Sequence, residues 1–548
     1  MSSNDAKGSQ PEKRSEDVDS TNSITKSSTT TCEVDVPSSS ERKVTGMVVL
    51  SNELKEFYDS HNVNVGCAAT TIIPHRFIRL NPRYDSNETL KLLTKELQQD
   101  VVDVGGAPNI QKVPWLDNRW GFYALPNTFS IANSPCYQTG RIYGMDVSSG
   151  ACVAALLTNA YDKQNGNDHP TNQEDLSTTN GSSSSSSFRV LDLCCAPGLK
   201  LCTMADYFHA NNKTTESTTT GTKPTTTTII GVDVSESRIA LCKRIIQKYH
   251  IEDDSSSESS SPPSSSPKIL DSKNEHSTAS KTNMAEVDIR LYCQDGTTFG
   301  RQDRSTTNLV FDSNVATEEY QQHGGKRKRL NKSAKGRIKK RLRQLAQLDW
   351  NPNDVEEALD HNKTNEREEE PPVPYIKLFD RVLVDAECST DGSLKHLEQK
   401  IKDKKLAASS PVSETDATTD AAITPTTNLL LTDQTQLMEL VNLQKKLIES
   451  GFLLLKPGGI MVYSTCSLSE EQNEHVVQWL LDSYPEEASI IPLHFPLASS
   501  PGAISSDNMV TEGKLQGTIR FAPNLDPSKL FGGGFFLAKI VKKSTTKK

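Results

Sequence analysis

The sequence predicts a doubly wound α/β fold, and three observations carry that prediction. Short apolar runs recur along the chain and end in small, acidic or thiol residues. Helically spaced segments separate these runs, and one of them leads directly into a tight turn that opens a helix. That stretch is Phe188 to Cys202. Val190 to Leu193 reads as a buried parallel strand, Ala196-Pro197-Gly198 forces a turn, and Leu199 to Phe208 continues with helical spacing. Such a corner offers unpaired helix N–H groups, and its glycine lets the backbone approach a ligand. It lacks Gly-x-Gly-x-x-Gly, so a dinucleotide fingerprint fits poorly.

Composition narrows the class. The 548 residues would fill three or four domains at about 150 residues each, but only 34% are hydrophobic and long tracts are Ser/Thr-rich or charged. The net charge of −9 excludes a global nucleic-acid footprint, so any such contact must use local basic patches. Eleven cysteines lack the spacing of small secreted domains and read as reduced thiols. No apolar run approaches the ~20 residues that span a bilayer, and no secretory signal opens the chain. The expectation is an intracellular protein of the nucleus or cytoplasm with no membrane partner.

Residues 1–44 are polar and expected to be disordered. A small α+β domain is expected over 45–140. In it Asn52 to Tyr58 and Glu88 to Leu97 are helical, Arg76 to Pro82 is a strand running into a turn, and Trp115, Trp120, Phe122 and Tyr123 supply core bulk. The sheet domain then spans 141–545, beginning with an apolar helix, Ala151 to Leu157. Inserts that cannot bury enough apolar surface to offset ordering entropy are expected near 171–187, 212–228, 253–282, 312–372 and 403–428.

Without these inserts a β-α alternation remains. The second strand, Thr228 to Val232, ends at Asp233, and Ser235 to Tyr249 follows as a helix with Ile239, Cys242, Ile246 and Tyr249 on one face. Asp233 lies 35 residues after Gly198. Subtracting the Thr-rich tract restores the interval of ~20 residues at which an acid binds ribose hydroxyls; a loop-capping Asp is the alternative. Ile289 to Cys293 is the third strand, ending at Asp295-Gly296. Phe379 to Val384 is the fourth, followed by Asp385 and Cys388. Leu437 to Ile448 forms a helix stopped by Gly451, and Ile460 to Tyr463 is the fifth strand, opening into Ser464-Thr-Cys-Ser467. Ser469 and Gln472 make a capping-box pattern for the helix carrying Val476 and Leu480, and Phe535 to Ile540 closes the sheet.

Ligands of such sheets bind outside the carboxyl ends of the strands. Asp385, Cys388 and Cys466 sit at those ends. A thiolate there can add to an electrophilic carbon and later leave, splitting one hard substitution into two easier steps. Metal binding is the competing use, but neither cysteine has a Cys-x-x-Cys spacing with further ligands, so no metal is expected. A disulfide is not expected in a reducing compartment.

Here a resemblance becomes specific. The segments from Val190 to Ile540 resemble the RsmB/RsmF, or Sun-domain, family of S-adenosylmethionine-dependent RNA cytosine-5 methyltransferases. Asp192-Leu-Cys-Cys-Ala-Pro-Gly-Leu-Lys200 is similar to the family's cofactor loop, Tyr463-Ser-Thr-Cys-Ser467 with Asn473-Glu474 is the most specific match, and Arg520-Phe followed by Gly534-Phe-Phe-Leu-Ala-Lys539 resembles its C-terminal pattern. The resemblance implies a class I, Rossmann-like methyltransferase sheet acting on cytosine C5 in tRNA or rRNA, with S-adenosylmethionine as cofactor.

Residue by residue, it implies that Cys195, Ala196, Pro197, Gly198, Leu199 and Lys200 hold the methionine part of the cofactor, Asp233 and Arg238 its ribose side, and Asp295 its adenine. It makes Cys466 the nucleophile at C6, Asp385 the group on the pyrimidine edge beside the cofactor, and Cys388 the thiol that assists C5 proton loss and release. Two positions depart from the family. Glu387 stands where Pro usually precedes the strand-four cysteine, placing a negative charge beside Cys388, and Leu199 stands where a second glycine is common. The departure at Glu387 keeps an alternative open, a non-catalytic RNA-binding or ribosome-assembly protein retaining the fold. The basic run 326–343, with eleven Lys/Arg in eighteen residues and no acid, reads as an RNA contact, an import-receptor signal or a solvated charge run neutralised by the acids of 354–370.

Overall fold

The computed structural model describes residues 48–49, 71–72, 75–101, 110–159, 187–215, 226–251, 287–301, 308–324, 329–350, 376–393, 434–495, 510–523, 530 and 532–544. The expectations for the tail 1–44, the helix from Asn52 to Tyr58 and the inserts 253–282 and 403–428 lie outside the described residues.

After a short antiparallel ladder of Val48–Val49 with Thr71–Ile72, the chain builds a four-stranded antiparallel sheet. Strand β1 (Arg76–Leu80) is followed by helix α1 (Ser86–Val101), β2 (Gln111–Lys112), β3 (Phe122–Leu125) and β4 (Ile142–Gly144), paired in the order β2-β3-β1-β4. Phe77, Trp115, Trp120, Phe122 and Tyr143 share a core with the main sheet, whereas Tyr123 packs in the small sheet's other core. Trp120 stacks on Tyr207 with ring centres 5.4 Å apart, and the Trp115 indole donates to the Leu530 carbonyl at 2.8 Å. A buried ion pair adds to this junction, because Arg79 and the Tyr143 hydroxyl both bond Asp206 Oδ2, at 2.6 and 2.8 Å.

Helix α2 (Val147–Leu157), capped by Asp146, is apolar all round and accordingly buried along almost its whole length. The main sheet then starts with β5 (Phe188–Asp192), whose Val190 and Leu191 are fully buried, one in each of the cores flanking the sheet. Helix α3 (Leu199–Thr215), β6 (Thr227–Asp233), α4 (Glu236–Ile246), β7 (Val287–Cys293) and β8 (Leu309–Asp312) follow. The predicted helix through Tyr249 gives way at Gln247 to a single π turn ending at Ile251. The tract near 212–228 is trimmed at both ends, since α3 runs to Thr215 and Thr227 pairs with Phe188.

The insert 312–372 needs a larger correction. Within it, α5 (Ser313–Gln322) and α6 (Lys332–Leu348) are ordered helices, and residues 351–375 lie outside the described ones. Ala334, Leu342 and Ala346 of α6 are buried, so its charge content concealed an amphipathic helix.

Strand β9 (Phe379–Asp385), α7 (Gln434–Leu453), β10 (Leu455–Thr465), α8 (Glu474–Ser483), β11 (Ala488–Ile490), β12 (Val510–Glu512), β13 (Ile519–Phe521) and β14 (Phe535–Lys542) complete the chain. Gly451 does not stop its helix; α7 runs on to Leu453, with Gly451 packed on Val382 and Val384 of β9. The strand order is β8-β7-β6-β5-β9-β10-β14-β13-β12, with β11 also on β14. Strands β7, β6, β5, β9 and β10 are mutually parallel, and β14 is antiparallel to β10. Taken in chain order, the core strands lie 3-2-1-4-5 with an antiparallel strand inserted beside the fifth. This is a doubly wound, Rossmann-like α/β sheet, the fold class expected from the sequence, with its order reversal between β5 and β9.

Candidate active site

The reversal point puts the ends of β5, β9 and β10 side by side, which is where such sheets hold ligands. After Asp192 the turn is fastened to both neighbouring strands: Leu193 N–H donates to the Leu383 carbonyl and Cys195 N–H to the Val232 carbonyl, each at 3.0 Å. Gly198 has φ +102°, and a side chain there would press on the Cα of Cys242 in α4 at 3.3 Å. The close approach that its glycine permits is therefore first to the neighbouring helix.

Lys200, one residue into α3, reaches across to β9. Its Nζ lies 2.5 Å from Asp385 Oδ2, while the Ser464 hydroxyl donates to Asp385 Oδ1 at 2.8 Å. Burial works against the Lys200 ammonium, but the Asp385 charge and hydrogen bond hold its pKa above the ordinary lysine value. Below Ser464 lies the buried Cys152 thiol of α2, 3.6 Å from the hydroxyl and pushed up to about 12 by burial. Asp192 is wholly enclosed. Burial, opposed by Lys200, pushes its carboxyl up to about 7, and its Oδ2 has no hydrogen-bond partner among the described residues.

The two predicted thiols meet. Cys388 Sγ and Cys466 Sγ are 3.1 Å apart, on the loops that follow β9 and β10. The hydrogen bond between them, then burial and the neighbouring negative charge, hold the Cys466 thiol well above the ordinary cysteine range. It rests protonated at neutral pH.

The loop carrying Cys388 is clamped on both sides of the cysteine. Gln444 Nε2 donates to the Glu387 carbonyl at 2.7 Å, Ser389 N–H donates to Gln472 Oε1 at 3.0 Å, and Gln472 Nε2 donates to the Ser389 hydroxyl at 2.8 Å. Further along, Thr390 holds φ +57°, and Asp391 accepts from Leu468 N–H at 3.0 Å. Gly392 N–H then donates to the Cys466 carbonyl at 2.9 Å and Gly534 N–H to the Gly392 carbonyl at 2.8 Å. A side chain on Gly392 would lie 2.6 Å from the Gly534 oxygen, so only glycine lets the three backbones cross there.

The predicted capping box is therefore wrong. Helix α8 begins at Glu474 after Asn473, whose side chain makes no cap hydrogen bond to the helix, and Ser469 bonds Glu471 instead. Gln472 turns inward because Ser389 offers it a buried donor and acceptor. The other motif residues are architectural. Glu474 is buried against Arg520, which also donates to the Leu468 carbonyl at 2.8 Å. Lys539 is fully buried in β14 and donates to the Thr158 carbonyl at the end of α2.

On the other side of the turn, Asp233 ends β6 and does two things. Its Oδ1 accepts from Ser235 N–H at 3.0 Å, the loop cap named as the alternative to a ribose ligand, and its Oδ2 lies 3.2 Å from the half-exposed Arg238 guanidinium. Asp295 is exposed, and its Oδ1 accepts from both the amide and the hydroxyl of Thr297 at 2.8 Å. Next to it, Gln294 Oε1 is buried with no partner among the described residues. The structure thus gathers Lys200, Asp385, Cys388 and Cys466 into one cluster and places Asp233, Arg238 and Asp295 along the ends of β6 and β7. Ser464, Gln444, Gln472 and Cys152 join the cluster without having been singled out as site residues. Among the described residues no His/Cys/Asp/Glu group has the makings of a metal site, and no helix is long and apolar enough to cross a membrane.

Part of the chain is similar to known proteins. Residues 417–541 match the family model described as 16S rRNA methyltransferase RsmB/F. Ribosomal RNA small subunit methyltransferase F of Klebsiella pneumoniae (strain 342) is 30% identical over 164 residues, 30% of this chain and 26% of the relative. The protein of that name from Shewanella piezotolerans is 31% identical over 170 residues, 31% and 27% of the two chains. The matched part thus spans about a quarter of these curated relatives. Among solved structures, NSun6 from Pyrococcus horikoshii with SFG is similar at a TM-score of 0.43 and 12% identity, covering 91% of this chain and 99% of that one. A methyltransferase homolog protein from the same organism is similar at a TM-score of 0.39 and 19% identity, covering 86% and 87%. Over these stretches the chain is similar to 16S rRNA methyltransferases of the RsmB/F family.

Proposed function

We propose that the protein is an S-adenosylmethionine-dependent RNA methyltransferase that acts on C5 of cytosine in tRNA or rRNA through a covalent bond between Cys466 and C6. The observation that carries this reading is the thiol pair at 3.1 Å beside the Lys200–Asp385 ion pair. Two converging thiols with a carboxylate suit a substitution that needs one sulfur to add and a second group to help it leave.

The residues present fit the cofactor. Its amino groups and ribose hydroxyls are hydrogen-bond donors, and acceptors await them: the unpartnered Asp192 Oδ2 beside the turn, Asp233 at the end of β6, and the unpartnered Gln294 Oε1 near Asp295. The start of α3 suits its carboxylate. When bound, S-adenosylmethionine supplies the methyl group as an electrophile. The protein does the rest. As Cys466 Sγ bonds to C6, the thiol proton passes to the ring nitrogen N3 on the pyrimidine edge that Asp385, held by Lys200 and Ser464, fixes. This leaves C5 nucleophilic, and N3 gives the proton back when the sulfur departs. After C5 is methylated, Cys388 assists removal of the C5 proton, and the pair of electrons from that C–H bond re-forms the ring double bond as Cys466 departs. A cytosine in a helix must first be unstacked. The small N-terminal sheet, adjoining the methyltransferase sheet, is the candidate for positioning the RNA.

Glu387 motivates the second reading, a non-catalytic RNA-binding or assembly protein. The clamp by Gln444 and Gln472 answers it in part, because the loop is held without the proline. The test is methyl transfer to cellular RNA, read as 5-methylcytosine by mass spectrometry. The proposal expects product from the unmodified protein and none from Cys466→Ala; a folded, cofactor-binding protein that makes no 5-methylcytosine would favour the second reading.

A further inference from the structure

We infer that one flank of α6, beside its buried side, is a second contact surface for RNA, a stripe of cations that grips the phosphate backbone outside the thiol site. This inference rests on the RNA-methyltransferase reading. Helix α6 contains no acidic residue, and its apolar side, with Ala334, Leu342 and Ala346, is buried against the domain. Lys332, Lys335, Lys339 and Arg343 are all exposed. They stand at i, i+3, i+7 and i+11, so they lie on one side of the helix over about 16 Å of its length. Among the described residues, Arg341 is the α6 cation with an ion-pair partner, Glu318. Among the described residues the four stripe cations therefore have no acidic partner, on a protein whose net charge is −9.

The stripe is also fixed. Asn331 caps the start of α6 by accepting from Ala334 N–H at 2.8 Å. Directly after its end, the fully buried Asp349 binds Arg189 and Arg290 at 2.9 Å each and the Tyr292 hydroxyl at 2.7 Å. This network bolts the insert to β5 and β7. A charge run that merely kept the protein soluble would need no such anchor, whereas a preordered row of cations loses little conformational freedom when a polyanion binds. Charge complementarity names the occupant as the repeating phosphate of RNA, bound without regard to sequence.

The test compares the full-length protein with a variant carrying Lys332→Ala, Lys335→Ala, Lys339→Ala and Arg343→Ala, using a short RNA hairpin of arbitrary sequence as probe. Affinity is measured across a salt series. Each lost phosphate contact removes about 0.7 to 0.9 from the slope of log affinity against log salt, so four should flatten it by about 3. The matching Lys→Arg changes should keep the slope, and calorimetric binding of S-adenosylmethionine should be the same in all three proteins. An unchanged slope in the alanine variant overturns the inference, whether the stripe is covered by the chain's own acids at 354–370 or faces an acidic protein. Methylation by the unmodified enzyme separates the two readings. A flattened slope without any methyl transfer would sink the enzyme reading alone; methyl transfer with an unchanged slope would sink the stripe alone.

Discussion

Replacing Gln472 with alanine should release the Cys388 loop without touching either thiol. The side chain is buried, and it serves Ser389 twice, accepting from its N–H at 3.0 Å and donating to its hydroxyl at 2.8 Å. In Gln472→Ala the Ser389 N–H becomes a buried orphan, which costs about 1–3 kcal/mol, and the lost packing adds to it. Gln444 keeps its bond to the Glu387 carbonyl, so the loop loses one of its two flanking anchors rather than both. A stability loss of about 3 kcal/mol is expected, and Gln472→Glu, which retains the acceptor, should lose about 1 kcal/mol. The functional effect should exceed this. A displacement of about 1 Å at a reacting group costs about 100-fold in rate, and here it would fall on Cys388, the thiol proposed to assist release. The assay is the fraction of protein trapped as a denaturation-resistant RNA adduct, measured beside thermal melting and cofactor affinity. The adduct should accumulate in Gln472→Ala while cofactor binding stays unchanged. A lowered melting temperature with an unaltered adduct fraction would refute the idea that this clamp positions Cys388.

Two further predictions concern the rest of the fold. Asp206→Ala should strand the buried Arg79 guanidinium and the Tyr143 hydroxyl at the junction of the small sheet with α3, costing about 3–5 kcal/mol in denaturant unfolding; a loss below about 1 kcal/mol would mean that packing alone holds the junction. His250 should make the protein acid-sensitive. Burial, against the attraction of Asp206, lowers its pKa to about 4, so between about pH 6.5 and 4 the unfolded chain binds the extra proton and stability falls as pH falls, by about 3 kcal/mol in all. Asp192, pushed up to about 7, acts in the opposite sense, gaining stability as pH drops towards 4. The difference between the unmodified protein and His250→Gln isolates the histidine: its denaturation free energies should converge or cross as pH falls from 7 to 5, and a constant difference would contradict the assignment.

Much of this site was legible because strand ends advertise themselves. Asp385, Cys388 and Cys466 follow apolar runs whose partners in a parallel sheet are fixed by connection rules, so their convergence followed from order alone. Gln472 was not legible in its true role. Its spacing from Ser469 imitates a local cap, whereas its partner Ser389 lies 83 residues away in sequence. Helices α5 and α6 were hidden for another reason. Lysines and arginines dominate the composition of 326–343, and only the spacing of Ala334, Ile338, Leu342 and Ala346 at four-residue intervals betrays the apolar side of α6. Cys152 gave no signal at all, because one thiol in a uniformly apolar helix looks like core.

The central claim is that Cys466 bonds to the substrate and Cys388 lets it go. The most direct measurement incubates Cys388→Ala with S-adenosylmethionine and total cellular RNA and looks for a covalent protein–RNA adduct that survives denaturation. The account predicts an adduct that disappears on adding Cys466→Ala, with sequencing of the captured RNA naming the target cytosine. A folded, cofactor-binding Cys388→Ala protein that forms no adduct, or one whose adduct persists without Cys466, would contradict it.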